Sequence, residues 1–166
     1  VGEKAGCAAI AREAIETFGG IDVLINNAAI RPSSPFLEMD EDEWDRVLAI
    51  GMHAAFRLAR ASLPGMVERG WGRIINVTTS LDTMTSRGYT PYGPSKAALE
   101  AATSIWAKDL ADTGVTANVV VPGGPVNTGF IPENAPFDRS ALIQPEVMAA
   151  PICWLATEAA NSVTDC

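Results

Sequence analysis

No stretch of this sequence approaches the roughly 18 consecutive apolar residues of a membrane-spanning helix, and its opening, Val1-Gly2-Glu3-Lys4, has no apolar signal segment behind it. Cysteine is scarce. Cys7, Cys153 and Cys166 are an odd number at spacings that suit no metal site, so reduced thiols in a soluble, cytoplasmic protein are the expectation. Basic residues are few as well: 12 Lys and Arg against 20 Asp and Glu give a net charge of −8. They are scattered rather than clustered, which leaves no basic stripe for a nucleic-acid backbone. There is no phosphate loop and no acidic metal cluster, so a nucleotide-hydrolase or flavodoxin-like reading finds no support.

What is present is apolar. Hydrophobic residues make up 48% of the 166 positions and charged ones 19%, a balance that suits one domain, residues 1–166, with a sheet buried on both faces. From Glu3 to Phe18 the residues Cys7, Ile10, Ala14 and Phe18 keep helical spacing, and Gly19-Gly20 supplies a stop. Ile21 to Ile25 is short, nearly all apolar and β-branched, the pattern of a buried strand, and it runs into Asn26-Asn27-Ala28-Ala29. Asp40 with Glu43 opens a second helix. That helix carries Trp44, Val47, Leu48, Met52, Ala55, Leu58 and Ala59 on one stripe to an expected break near Pro64-Gly65, with Gly51 unexplained in its middle. Arg73 to Val77 reads as a second strand leaving into Thr78-Thr79-Ser80, and 81–90 as a loop. A long helix over 91–111 follows, then a third strand over 116–121 stopped by Pro122-Gly123-Gly124-Pro125, and a last helix over 145–157.

Strand and helix alternate, which predicts a parallel sheet with helices on both faces and ligands at the C-terminal ends of the strands. All three strands leave into residues that can hold a ligand. The helix that starts at this edge carries Tyr92 and Lys96 four residues apart, on one face and about 6 Å along the axis. A phenol beside an ammonium is a potential proton-transfer site. By spacing alone such a pair recurs by chance, and its weight comes from the three exits around it.

Taken together, Asn26-Asn27-Ala28-Ala29, Asn76-Val77-Thr78-Thr79, Tyr92-Gly-Pro-Ser-Lys96 and Pro122-Gly123 with Thr128 downstream resemble the short-chain dehydrogenase/reductase family over nearly the whole chain. The resemblance implies a Rossmann-like doubly wound sheet and hydride transfer between NAD or NADP and a small alcohol or carbonyl substrate. It implies that Tyr92 is the general acid/base and that Lys96 lowers the phenol pKa and binds the nicotinamide ribose. Thr79 stands thirteen residues before the tyrosine, where the family has a serine for the substrate oxygen, with Ser80 as the fallback. Asn26 and Ala28 would line the adenosine side, and Pro122, Gly123, Val126 and Thr128 the nicotinamide side. The loop Ile131 to Ile143 would cover the substrate, with Phe130, Ile131, Phe137 and Leu142 as a partly apolar wall. Helices equivalent to 41–60 and 91–111 build homodimers and homotetramers in the family, and the stripe Ala98, Ala101, Ala102 and Ile105 permits that here.

There are departures. Gly51 stands where the family has an asparagine that anchors a relay water, and His53, about 200° round the helix from it, is no substitute. Neither the glycine-rich pyrophosphate turn nor the residue that separates NAD from NADP occurs in the sequence, and Val163-Thr164-Asp165 stops where the family continues into a last strand. The expectation is therefore an incomplete domain of about three strands with unpaired edges, poorly stable and inactive by itself. Gly51 and Thr79 also keep open a non-catalytic binding or scaffold protein of the same fold.

Overall fold

The computed structural model describes residues 1–131, 133, 135 and 138–165. Helix α1, Lys4–Phe18, leads into strand β1, Val23–Asn26. Helix α2, Glu41–Leu48, passes through a wider π turn over Ala49–His53 into α3, Ala54–Arg69. Strand β2 is Gly72–Val77, α4 is the single turn Leu81–Met84, α5 is Tyr92–Asp109, β3 is Val115–Val120 and α6 is Ala149–Leu155.

The three strands form one parallel sheet in the order β1-β2-β3, with Leu24, Ile74 and Ala117 in one row and Ile25, Ile75 and Asn118 in the next. Successive side chains of a strand point to opposite faces, so neighbouring rows feed two separate cores. Ile74 and Ala117 pack with Ala59 and Met66 of α3 and Ala107 of α5. Ile75 and Val120 pack with Leu155 of α6 and Ala160 on the other face. A sheet covered on both faces is why the strands read as apolar runs rather than alternating ones. At the strand starts, buried Arg73 lies over the Trp71 ring and donates to the carbonyls of Gly72 and Thr157 and to Asn161 Oδ1, tying the last turns to the sheet.

Two expected boundaries are corrected. The helix does not break at Pro64 but runs to Arg69, burying Met66 completely. Arg60 and Pro64 are both exposed, so the bond that proline cannot make is lost where water can replace it. The helix ends instead at Gly70, with φ 66°, where Trp71 N–H reaches the Met66 carbonyl at 3.1 Å and Gly70 N–H reaches Val67 at 3.0 Å. The second correction lies in 81–90, which holds α4: Ser80 caps it, its hydroxyl accepting from Thr83 N–H at 3.3 Å, and Met84 is buried beneath. The expected unpaired edges are found in part. Ile25 of β1 is 44% exposed, whereas the edge of β3 is met by Asp165 N–H on the Ala117 carbonyl at 3.1 Å and by Asn118 donating to Val163 at 2.8 Å.

The turn into β3 depends on a close approach of two glycines. A Cβ on Gly114, which has φ 79°, would lie 1.9 Å from the Gly70 carbonyl oxygen. Gly114→Ala is expected to destabilise the protein by at least about 2 kcal/mol in denaturant unfolding. Gly6→Ala, in α1 with nothing within 4 Å of the new Cβ, is expected to stabilise by about 1 kcal/mol. Equal effects of the two changes would remove the close approach as the cause.

Candidate active site

Parallel strands bring their three exits to one edge, and α5 begins there. A chain of buried hydrogen bonds fixes the helix to the strands. Asn26 Nδ2 donates to Asn76 Oδ1 at 2.8 Å, Asn76 Nδ2 donates to Thr103 Oγ1 at 2.7 Å, and Thr103 Oγ1 donates to the Leu99 carbonyl at 2.6 Å. Asn76 and Thr103 are wholly buried, so each satisfied bond also avoids an orphaned polar group, worth roughly 1–3 kcal/mol. One residue further along β2 the Val77 carbonyl accepts from Lys96 Nζ at 2.7 Å, and Thr78 Oγ1 donates to Glu100 Oε1 at 2.6 Å. Asn26 is thus both a candidate ligand residue and a structural one, and the roles of Asn76 and Thr103 in holding α5 were not read from the sequence.

Gly93 and Gly51 set how closely α5 is approached. A Cβ on Gly93 would lie 1.9 Å from the Met84 carbonyl oxygen, so the first turn of α5 rests directly on the backbone of α4. At Gly51, buried in the π turn, a Cβ would stand 3.0 Å from Ser95 Oγ. Ser95 is itself buried and donates to the Tyr92 carbonyl at 2.7 Å. A side chain at 51 would press on Ser95, which would have to give by a few tenths of an ångström, a tight contact that glycine avoids. Gly51 also lines a cavity of about 90 Å³ with Asn26, Asn27, Ala28 and Ile50. His53 is exposed.

Tyr92 is 6% exposed, and among the described residues its hydroxyl has no hydrogen-bond partner. Burial raises its pKa above the ordinary value, the charge of Arg31 pulls it back, and Tyr89 pushes it up again. The sequence pattern assigns the pull to Lys96. In this geometry the Lys96 ammonium bonds the Val77 carbonyl and lies 5.8 Å from the Tyr92 ring centre, and the charge of Arg31 also lowers the phenol pKa. Arg31 is not among the residues singled out from the sequence, although it lies five positions after the β1 exit. Burial lowers the Lys96 pKa to about 8.

The remaining candidates are distributed along the edge. Thr79 is half-buried and its hydroxyl has no hydrogen-bond partner among the described residues, whereas the Ser80 hydroxyl is engaged in capping α4. Ala28 and Gly123 are exposed and Pro122 half-buried. Val126 forms a parallel bridge with Ile143, Thr128 N–H bonds the Val126 carbonyl at 2.8 Å, and Arg139 holds the loop by donating to Asn127 and to the Ile131 carbonyl. Phe130 packs 5.7 Å from Tyr92 between ring centres, Ile131 is buried and Leu142 half-buried. Phe137, like Cys166, lies outside the described residues. Among the described residues no cluster of metal-ligating side chains occurs and no helix is long and apolar enough to cross a membrane.

Comparison with known proteins gives the class. A family model for short chain dehydrogenases matches residues 1–136. Nodulation protein G of Azospirillum brasilense is 32% identical over 175 residues, covering 99% of this chain and 70% of that protein. A 3-oxoacyl-(acyl-carrier-protein) reductase of Vibrio cholerae is 37% identical over 69% of this chain and 47% of its own length. A D-beta-hydroxybutyrate dehydrogenase of Cupriavidus necator is 38% identical over 68% and 43%. The crystal structure of a gluconate 5-dehydrogenase from Burkholderia cenocepacia, in complex with NADP and tartrate, has a TM-score of 0.89 at 26% identity, covering 99% of this chain and 68% of that one. The chain therefore belongs to the short-chain dehydrogenase family, NAD(P)-dependent oxidoreductases with a Rossmann-like α/β fold. It spans 43% to 70% of the length of these curated relatives.

The buried ammonium of Lys96 makes stability depend on pH in a defined window. Its folded pKa of about 8 lies below the ordinary 10.5, so between those values the unfolded chain binds more protons and stability rises with pH, by about 3 kcal/mol across the window. Below about pH 8 the cost of burying the charge is constant. Unfolding curves of the wild type and Lys96→Met, compared from pH 7 to 11, are expected to diverge through that window; curves that stay parallel would show that the amine is not desolvated.

Proposed function

We propose that residues 1–166 act as one partial dinucleotide-binding and catalytic domain. In the full protein it would transfer hydride between NAD or NADP and an alcohol or carbonyl compound, with Tyr92 as the proton donor and acceptor. One observation carries the reading: a buried phenol without a hydrogen-bond partner and a buried ammonium share one face of α5, at the edge where all three strands end. Among the relatives, the names D-beta-hydroxybutyrate dehydrogenase, gluconate 5-dehydrogenase and 3-oxoacyl reductase all denote hydroxyl or carbonyl chemistry.

In this reading Tyr92, protonated at neutral pH as a phenol ordinarily is, gives its proton to the substrate oxygen in reduction and takes it back in oxidation. Lys96 makes one hydrogen bond to the backbone, which leaves N–H donors for a ribose diol. A bound nicotinamide supplies or accepts the hydride. Thr79 holds the substrate oxygen and Ser80 caps α4. Asn26 and Ala28 line the adenosine side, and Pro122, Gly123, Val126 and Thr128 the carboxamide side. Exposed Ala98, Ala101 and Ile105 on α5 support a homodimer or homotetramer contact, and the exposed free Cys153 accords with a cytoplasmic location.

Gly51 in place of the usual asparagine favours a second reading, a binding or scaffold protein of the same fold. Tyr92→Phe in the full protein separates the two. The catalytic reading expects turnover to fall roughly 10²- to 10⁴-fold with cofactor binding retained, whereas turnover within a few-fold of wild type would end it. Thr79→Ala is expected to lower kcat more than Ser80→Ala, whose main effect is about 1 kcal/mol of lost stability; the reverse order would move the substrate-oxygen role to Ser80.

A further inference from the structure

The reaction just described leaves Arg31 unused. It is half-buried in the loop after β1, and its guanidinium carbon lies over two aromatic rings, 5.0 Å from the centre of Tyr89 and 5.8 Å from that of Phe130. The same two rings flank the phenol, Tyr89 at 6.3 Å and Phe130 at 5.7 Å between ring centres. Guanidinium and phenol thus share both neighbours, and the charge is felt at Tyr92. The chain has 20 acidic residues against 12 basic ones. Yet among the described residues no carboxylate pairs with Arg31; the cationic partners in the ion pairs are Arg12, Arg69 and Lys108. No hydrogen-bond acceptor among those residues holds it either.

A guanidinium stacked on aromatic faces is held through its π surface, which leaves the N–H donors at its edge unused. Those donors form a planar fork that matches a carboxylate in two parallel hydrogen bonds. The aromatic walls limit water around the fork, which strengthens such a pair. Phe130 belongs to the apolar wall assigned to the substrate, while Asn26 at the end of β1 and Ala28 just after it belong to the cofactor side.

We propose that Arg31 binds the carboxylate of the substrate, so that the substrate class is a short oxo- or hydroxycarboxylate whose reacting carbon faces Tyr92. In reduction the carbonyl carbon accepts hydride from a reduced nicotinamide and its oxygen accepts the Tyr92 proton. The carboxylate stays ionised and unreacted, fixing the far end of the molecule. This assignment rests on the catalytic reading of Tyr92.

The test uses the full protein with NADH and NADPH and four- to six-carbon 2-oxo, 3-oxo and 5-oxo acids, each beside its methyl ester. The free acid is expected to be preferred in kcat/KM by roughly tenfold or more. Arg31→Met is expected to erase that preference by raising the KM for the acid roughly 10- to 100-fold, and Arg31→Lys to restore part of it. Equal use of acid and ester by the wild type overturns the inference. So does an Arg31→Met protein whose NADPH affinity falls while the KM for the acid stays constant, since Arg31 would then serve the cofactor. If no pair is turned over, calorimetric titration with the acids decides: binding lost in Arg31→Met supports the assignment, and binding that is absent or unchanged overturns it. Full turnover in Tyr92→Phe is the separate sign that the underlying reading has failed.

Discussion

The site depends on how one helix is held against the ends of three strands. The hydrogen bonds from Asn26 through Asn76 and Thr103 to the Leu99 carbonyl, with Lys96 on the Val77 carbonyl beside them, cross from β1 through β2 into α5. Apolar packing alone fixes such a helix only loosely along its axis, because dispersion and burial are not directional. Buried amides and hydroxyls are directional, and leaving any one of them unpaired carries a desolvation penalty. The register of α5 on the sheet, and with it the position of Tyr92, follows from that constraint.

Close backbone approach does the rest. Gly93 lets the first turn of α5 rest on the carbonyl of Met84, and Gly51 lets the π turn lie against Ser95. A larger residue at Gly93 would force α4 and the start of α5 apart, and one at Gly51 would press on Ser95. Local irregularities thus gather around the site: a π turn, a one-turn helix capped by Ser80, and a loop pinned by Arg139. Irregular backbone concentrates where side chains must be aimed rather than merely buried.

The electrostatics of the phenol are a balance between burial and charge. Burial raises the Tyr92 pKa, and the charge of Arg31, whose guanidinium lies over the Tyr89 and Phe130 rings, lowers it. Lys96, desolvated and bonded to the backbone, has its own pKa lowered.

The alternation of strands and helices, the parallel sheet and the presence of polar residues at every strand exit were legible in the sequence, because each rests on period, composition or a stop signal within a few residues. The same holds for the Asp40 cap and the Tyr92-Lys96 face. The end of α3 at Gly70 rather than Pro64 was not, since it turns on which face of the helix meets water and on the burial of Met66 against Ile74. Asn76 and Thr103 as the fastening of α5 and the tight contact of Gly51 with Ser95 need partners 27 to 50 positions away in sequence. Arg31 shows the limit most clearly. Local pattern determined the elements and the edge at which they meet, but the placing of Arg31 near the phenol was decided only when the segment after β1 met Tyr89 ahead of α5 and Phe130 after β3, because the interaction of charges depends on distance in space.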